Sequence, residues 1–185
     1  LIISPTRELA TQIAQEARQL TMHLPHFGVR LLVGGEPRGK QLRDWTKPGS
    51  SNDIVVATPG RMVDLVQSEK VVRNALANTR MLILDEADTL LDMGFASEIA
   101  SIAEYIPPIE ERQTFLFSAT VSKSIREVAR KMMKNDHSFI DTVGRDAPDT
   151  HLHIPQYYTV LDSPADQITH IMTLLAQEIG RASCR

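Results

Sequence analysis

Residues 81–91, MLILDEADTLL, set four consecutive apolar side chains against three acids, Asp85, Glu86 and Asp88. An unbroken apolar run of this length, with no polar alternation, predicts a strand covered on both faces, as parallel sheets require. The acids end the strand and open a short helix, ADTLLDMG, whose N-terminus suits negative charge. Taken alone, the cluster fits equally a strand meeting solvent and a site that binds a cation.

The same rhythm runs outward in both directions. LIIS (1–4) leads into PTRELATQIAQEARQLTMHL (5–24), where Leu9, Ile13, Ala17 and Leu20 fall at helical spacing. VRLLVG (29–34) precedes a polar helix or loop around residues 39–45. DIVVAT (53–58) gives way to PGRMVDLVQS (59–68), with Pro59 near a helix start and Met62, Leu65 and Val66 on one face. Beyond the acids come the helix ASEIASIAEYI (96–106), stopped by Pro107 and Pro108, the strand QTFLFSAT (113–120), the helix SKSIREVARKMMKN (122–135) and a short strand SFIDTV (138–143). Apolar strands that alternate with helices predict the α/β class, an open parallel sheet flanked by helices. Ligands of such sheets gather at the carboxyl ends of the strands. PTREL, GGE, TPGR, DEAD and SAT all fall there, so these polar motifs are expected to share one rim.

With 185 residues, 42% hydrophobic and 23% charged, the chain can bury one sizeable core. No apolar run reaches the length of a membrane span, and LIISPTREL lacks the features of a signal peptide. The chain starts without Met inside a strand, so its natural N-terminus is expected to lie upstream. The net charge of −3 is uneven: residues 1–80 hold 11 Lys and Arg against 7 acids, residues 81–185 hold 9 against 16. A basic half favours a polyanion, and ordinary charge on helix faces explains it equally well. A single cysteine, Cys184, excludes a disulfide framework and fits an intracellular protein. It lies in IGRASCR (179–185), which breaks the preceding amphipathic pattern and back-translates to something resembling a sequencing adapter; this tail is expected to be non-native.

From Gly144 the texture changes. GRDAPDTHLHIPQ is polar, carries two prolines and reads as a linker, and YYTVLDSPADQITHIMTLLAQE reads as a strand and a helix that stop short of a second domain.

The order and spacing of PTREL (5–9), GG (34–35), TPGR (58–61), DEAD (85–88) and SAT (118–120) resemble the first-domain signature of the DEAD-box ATP-dependent RNA helicases of superfamily 2. DEADTLLDMGF and RQTFLFSAT extend the likeness beyond the short cores, and it covers nearly all of residues 1–178. The resemblance implies a RecA-like, P-loop NTPase domain. Residues 1–143 would be a partial first domain, 144–155 the interdomain linker and 156–178 the start of the second. It implies ATP and Mg²⁺ as cofactors, and RNA as partner, bound without sequence preference. Asp85 would hold Mg²⁺ through its waters, and Glu86 would orient the water that attacks the γ-phosphate. Asp88, Ser118 and Thr120 would couple hydrolysis to strand separation, Ser118 or Thr120 bonding Asp88; either could instead cap the following helix. Pro5, Thr6, Arg7, Glu8, Gly34, Gly35, Thr58, Pro59, Gly60 and Arg61 would form the RNA side, through N–H groups, hydroxyls and guanidinium on phosphates. Caps and tight turns account for the same residue types.

Two family elements are absent from the chain. It holds no Gly-x-x-x-x-Gly-Lys-Ser/Thr phosphate loop and no upstream adenine-recognising glutamine motif, which implies an incomplete fragment. The strand before the phosphate loop is expected in mid-sheet beside the DEAD strand, so the remaining chain is expected to expose unpaired edges, to be poorly stable and to lack ATPase activity. Residues 138–162 resemble fungal mitochondrial helicases, which adds the mitochondrial matrix to nucleus and cytoplasm as compartments. Other readings are a non-catalytic RNA clamp or scaffold, and an unrelated α/β domain whose carboxylates bind a metal. His151 and His153 lack further ligands at metal spacing and read as linker. Trp45 reads as a partly buried loop aromatic before a base-stacking one, and the seven methionines read as core filler.

Overall fold

The computed structural model describes residues 1–49, 51–142 and 158–178. They divide into two units, Leu1–Ser138 and Phe139–Arg185. The linker histidines and the 179–185 tail lie outside the described residues.

In the first unit the apolar runs become five parallel strands, β1 (Ile2–Ile3), β2 (Val29–Leu32), β3 (Ile54–Ala57), β4 (Met81–Leu84) and β5 (Gln113–Leu116), in the order β2-β3-β1-β4-β5. Helices fill the connections: α1 (Arg7–Leu20), α2 (Arg38–Thr46), α3 (Pro59–Ser68), α4 (Lys70–Leu76), α5 (Ala87–Asp92), α6 (Ala96–Ala103) and α7 (Lys123–Met132). Side chains alternate across the sheet, as a pleated strand demands. Val56 joins Ala10 and Ala14 of α1 on one side. Its neighbours Val55 and Ala57 join Met62, Leu65, Leu84 and Ile102 in the larger core on the other.

Register positions the site. Leu32 pairs with Ala57, Ala57 with Ile3, Ile3 with Leu84 and Leu84 with Leu116. The last residue of every strand therefore stands in one row. Backbone bonds continue the row by one residue, from Thr58 to Leu32, Ser4 to Ala57, Asp85 to Ile3 and Phe117 to Leu84. The shared rim expected from sequence is present.

Several expectations are corrected. Both sides of β4 are occupied, by β1 and β5, so no strand can be missing beside the DEAD strand; the edges of the described sheet are β2 and β5. Residues 138–142 form no strand, and Phe139 and Ile140 are exposed. An apolar, β-branched run needs a ladder partner to become a strand, and no strand of the described sheet pairs with it. Trp45 is neither a loop residue nor partly buried: it lies in α2 and is 3% exposed in the core. Of the methionines, Met62 and Met132 are buried, whereas Met22, Met81, Met93 and Met172 are exposed. Leu20 leaves the buried face of α1, which centres on Ala10 and Ala14.

In the second unit, residues 158–162 are irregular instead of a strand, and α8 (Gln167–Glu178) follows a single 3₁₀ turn at Pro164–Asp166. Among the described residues no helix is long and apolar enough to cross a membrane.

Candidate functional site

The rim carries two clefts on neighbouring strand ends. The first, about 360 Å³, is lined by Asp85, Glu86, Asp88, Thr89, Phe117, Ser118 and Ala119. The turn from β4 to α5 is very short: Asp85 still bonds the sheet, and Ala87, already helical, donates its N–H to the Phe117 carbonyl at 2.9 Å. Glu86 alone must make the corner. It takes φ 46° and ψ 56°, and among the described residues no other non-glycine has positive φ. That conformation costs about 1–3 kcal/mol and persists only where the surroundings impose it. Its side chain makes no cap bond to α5 and is exposed at the cleft. Asp85 Oδ1 accepts from the Glu86 N–H at 3.1 Å.

Asp88 ties the acidic turn to SAT. Its Oδ2 accepts from the Thr120 N–H at 3.0 Å and its Oδ1 from the Thr89 N–H at 3.1 Å. Ser118 Oγ donates to the Thr120 carbonyl at 2.8 Å, holding the loop that presents this N–H. The bond to Asp88 expected of Ser118 or Thr120 is thus made by Thr120. Neither residue caps α7, which is capped by Ser122 accepting from the Ile125 N–H.

Desolvation raises the Asp88 pKa, but the hydrogen bonds from Thr89 and Thr120 together outweigh it and hold the carboxyl below its ordinary 3.8. A depressed carboxylate contributes stability that is fully present above the unfolded value and is lost as pH falls through the folded one. Asp88→Asn keeps the shape but removes the titration. Urea midpoints measured from pH 5 down to pH 2 are expected to fall less steeply in the variant than in the wild type; parallel curves would remove Asp88 from this role.

The second cleft, about 660 Å³, is lined by Pro5, Thr6, Arg7, Glu8, Gly34, Thr58, Gly60, Arg61, Asp64, Met93 and Phe95. Thr6 caps α1, its hydroxyl accepting from the Leu9 N–H at 3.2 Å. Thr58 stands at the N-cap of α3 without a side-chain cap bond, and Pro59 at its first turn is fully buried. Pro59 therefore shapes the helix start and does not line the cleft. Gly35 has φ +79°, and a Cβ there would overlap the Arg7 guanidinium. Gly35 thus admits the close approach of Arg7. Asp64, Met93 and Phe95 were not foreseen. Gly94 at φ +84° turns the chain between the last two, and the DMGF string was the available signal.

Among the described residues no three His, Cys, Asp or Glu side chains converge as a metal cage. One carboxylate at a strand end, with one oxygen already engaged, fits a hard cation that keeps its waters and takes other ligands from phosphates.

The family described as DEAD/DEAH box helicase matches residues 1–128. The chain is 41% identical over 160 residues to DEAD-box ATP-dependent RNA helicase 26 of Oryza sativa, covering 86% of this chain and 29% of that protein. It is 40% identical over 185 residues to a mitochondrial ATP-dependent RNA helicase of Aspergillus oryzae, covering 99% of this chain and again 29% of the relative. The chain therefore spans less than a third of the length of these curated relatives. Among solved structures, a DEAD box protein from Methanococcus jannaschii aligns with TM-score 0.63 and 35% identity, over 75% of this chain and 35% of that one. A hypothetical ATP-dependent RNA helicase from Sulfolobus tokodaii aligns with TM-score 0.62 and 36% identity, over 72% and 38% of the respective chains.

Proposed function

The chain belongs to the DEAD/DEAH box helicase family, and on that premise we propose that it supplies most of the first RecA-like domain of an ATP-dependent RNA helicase. On this reading residues 1–143 are that domain, 144–155 the linker and 156–178 the opening of a second RecA-like domain. The observation that carries the proposal is the alignment of five strand ends, which puts an acidic cleft and an N–H- and hydroxyl-lined cleft one strand apart. A nucleotide would take the first and an RNA strand the second, with the bond from Thr120 to Asp88 tying the acidic turn to the SAT loop.

In the acidic cleft Asp85 would hold Mg²⁺ through water, and Mg²⁺, when bound, neutralises charge on the phosphates. Glu86, exposed and fixed by its left-handed turn, would orient the attacking water. In the second cleft the amides at the α1 and α3 starts, with Thr6, Thr58 and Arg7, would take backbone phosphates without reading bases. The fungal relative makes the mitochondrial matrix one candidate compartment.

A second reading is an RNA clamp without turnover, which the N–H- and hydroxyl-lined cleft would serve without the acidic one. Both readings meet in one experiment. Purified chain titrated with a fluorescent single-stranded uridine decamer is expected to bind with affinity that falls as salt rises, and to show no RNA-stimulated phosphate release. Binding indifferent to salt, or none at 50 mM salt, would sink the RNA assignment.

A further inference from the structure

Gln41 is one of three buried polar or charged residues among those described, 7% exposed on α2. A buried amide must find partners or destabilise the fold. Its Nε2 donates to the Val33 carbonyl at 2.9 Å, and its Oε1 accepts from Arg61 Nη1 at 2.8 Å. Arg61 in turn donates from Nη1 and Nη2 to the Glu36 carbonyl at 3.2 and 3.1 Å. Its Nε lies 3.8 Å from Asp64 Oδ2, and its side chain is only 13% exposed. The Gly34–Gly35 turn is thus pinned at both ends, at Val33 by Gln41 and at Glu36 by Arg61, and the two clasping side chains bind each other.

A turn built on glycines, one at positive φ, has little intrinsic stiffness. Where its amides point depends on what holds its ends. Through Arg61 the holding group is α3 itself, the helix whose first residues line the same cleft. We propose that Gln41 and Arg61 are positioning residues, a clasp that fixes the Gly34–Gly35 turn against the start of α3 so that both face one RNA strand. The inference rests on the RNA reading above. It changes the role of Arg61: Nη1 and Nη2 bond within the protein, and Nε faces Asp64, a carboxylate shared with Arg38, which Glu69 also pairs. Arg7, lying exposed over Gly35, is then the guanidinium that meets phosphate.

Salt dependence separates the two roles, because a phosphate-neutralising cation sets the slope of log affinity against log salt whereas a positioning residue does not. Decamer binding to the full chain is measured below the unfolding transition of each variant. Arg7→Met is expected to flatten the slope by about 0.7, the value for one phosphate of a single strand. Gln41→Leu and Arg61→Lys are expected to weaken binding about tenfold at every salt, the scale of one charge-assisted hydrogen bond, with the wild-type slope. Arg61→Lys is the sharper case, since it keeps the charge and loses the fork. A flattened slope in Arg61→Met, or wild-type affinity in Gln41→Leu, would overturn the proposal.

Amide exchange in the unliganded chain tests the clasp apart from RNA. Gln41→Glu still accepts from Arg61 but cannot donate to Val33, and it is expected to speed exchange at Gly34, Gly35 and Glu36 while leaving β4 unchanged. Unchanged exchange at all three would refute the clasp even if RNA binds. Absence of RNA binding by wild-type chain would instead refute the reading on which its purpose rests.

Discussion

Replacing Glu86 by Gln in the proposed two-domain helicase is expected to slow RNA-stimulated ATP turnover by about 10²- to 10⁴-fold, the usual worth of a positioned acid or base. The substitution is nearly isosteric, and the structure explains why it should leave the fold intact. The Glu86 side chain caps nothing, and the residue is exposed. Its backbone accepts the Leu90 N–H and follows β4 into α5 whatever the side-chain charge. Nucleotide and RNA affinity should therefore survive, and the complex should persist without turnover. Phosphate release and decamer binding measured on the same preparation check both halves. Retained turnover would remove Glu86 from the chemistry, and lost binding of nucleotide would make it a ligand instead. The left-handed backbone offers a control. Glu86→Gly relieves the strained φ yet removes the carboxylate, so it should gain stability while losing turnover.

Much of this was legible because the sheet is parallel. Apolar runs such as DIVVAT and MLIL carry enough signal to mark strands, and helices with a Pro or Thr start, α1 and α3, announce themselves. What was illegible is what depends on neighbours. Strand order is not written in any one strand, which is why β4 was expected beside an absent strand when β1 and β5 flank it. Residues 138–142 have strand composition but no ladder partner among the described strands. The helix KVVRNAL (α4) has no capping hydroxyl and only two buried residues, Val72 and Leu76, too weak a periodicity to stand out. Gln41 is one more polar residue in a polar stretch; only burial and its two partners distinguish it. The cap of α7 went to Ser122, whose hydroxyl stands at the helix start, and Thr120 meets Asp88 through its backbone N–H, a bond that its side-chain type could not announce.

Strand β4 also provides the largest expected stability effect, and it links the core to the site. Leu84 is 1% exposed and belongs to the main core, while Met81 at the other end of the same strand is 43% exposed. Leu84→Ala removes buried methyl groups and leaves a cavity, at a cost of about 2–5 kcal/mol. Met81→Ala removes a half-exposed side chain and is expected to change stability by roughly 0.5 kcal/mol or less. Both positions pair with β5, Met81 with Gln113 and Leu84 with Leu116, and Leu84 pairs with Ile3 of β1 as well; since alanine keeps the backbone bonds at either place, the contrast reads side-chain burial. Leu84 immediately precedes Asp85, whose N–H is held by the Ile3 carbonyl at 3.0 Å. A strand end that settles into the cavity would draw Asp85 off the row of strand ends. Urea unfolding should therefore rank Leu84→Ala far below Met81→Ala and wild type. Nucleotide-linked activity of the proposed helicase, measured where Leu84→Ala is still folded, should fall as well. Equal unfolding midpoints for the two variants would mean that this strand is not the packed centre of the sheet, and that the geometry of the acids is set elsewhere.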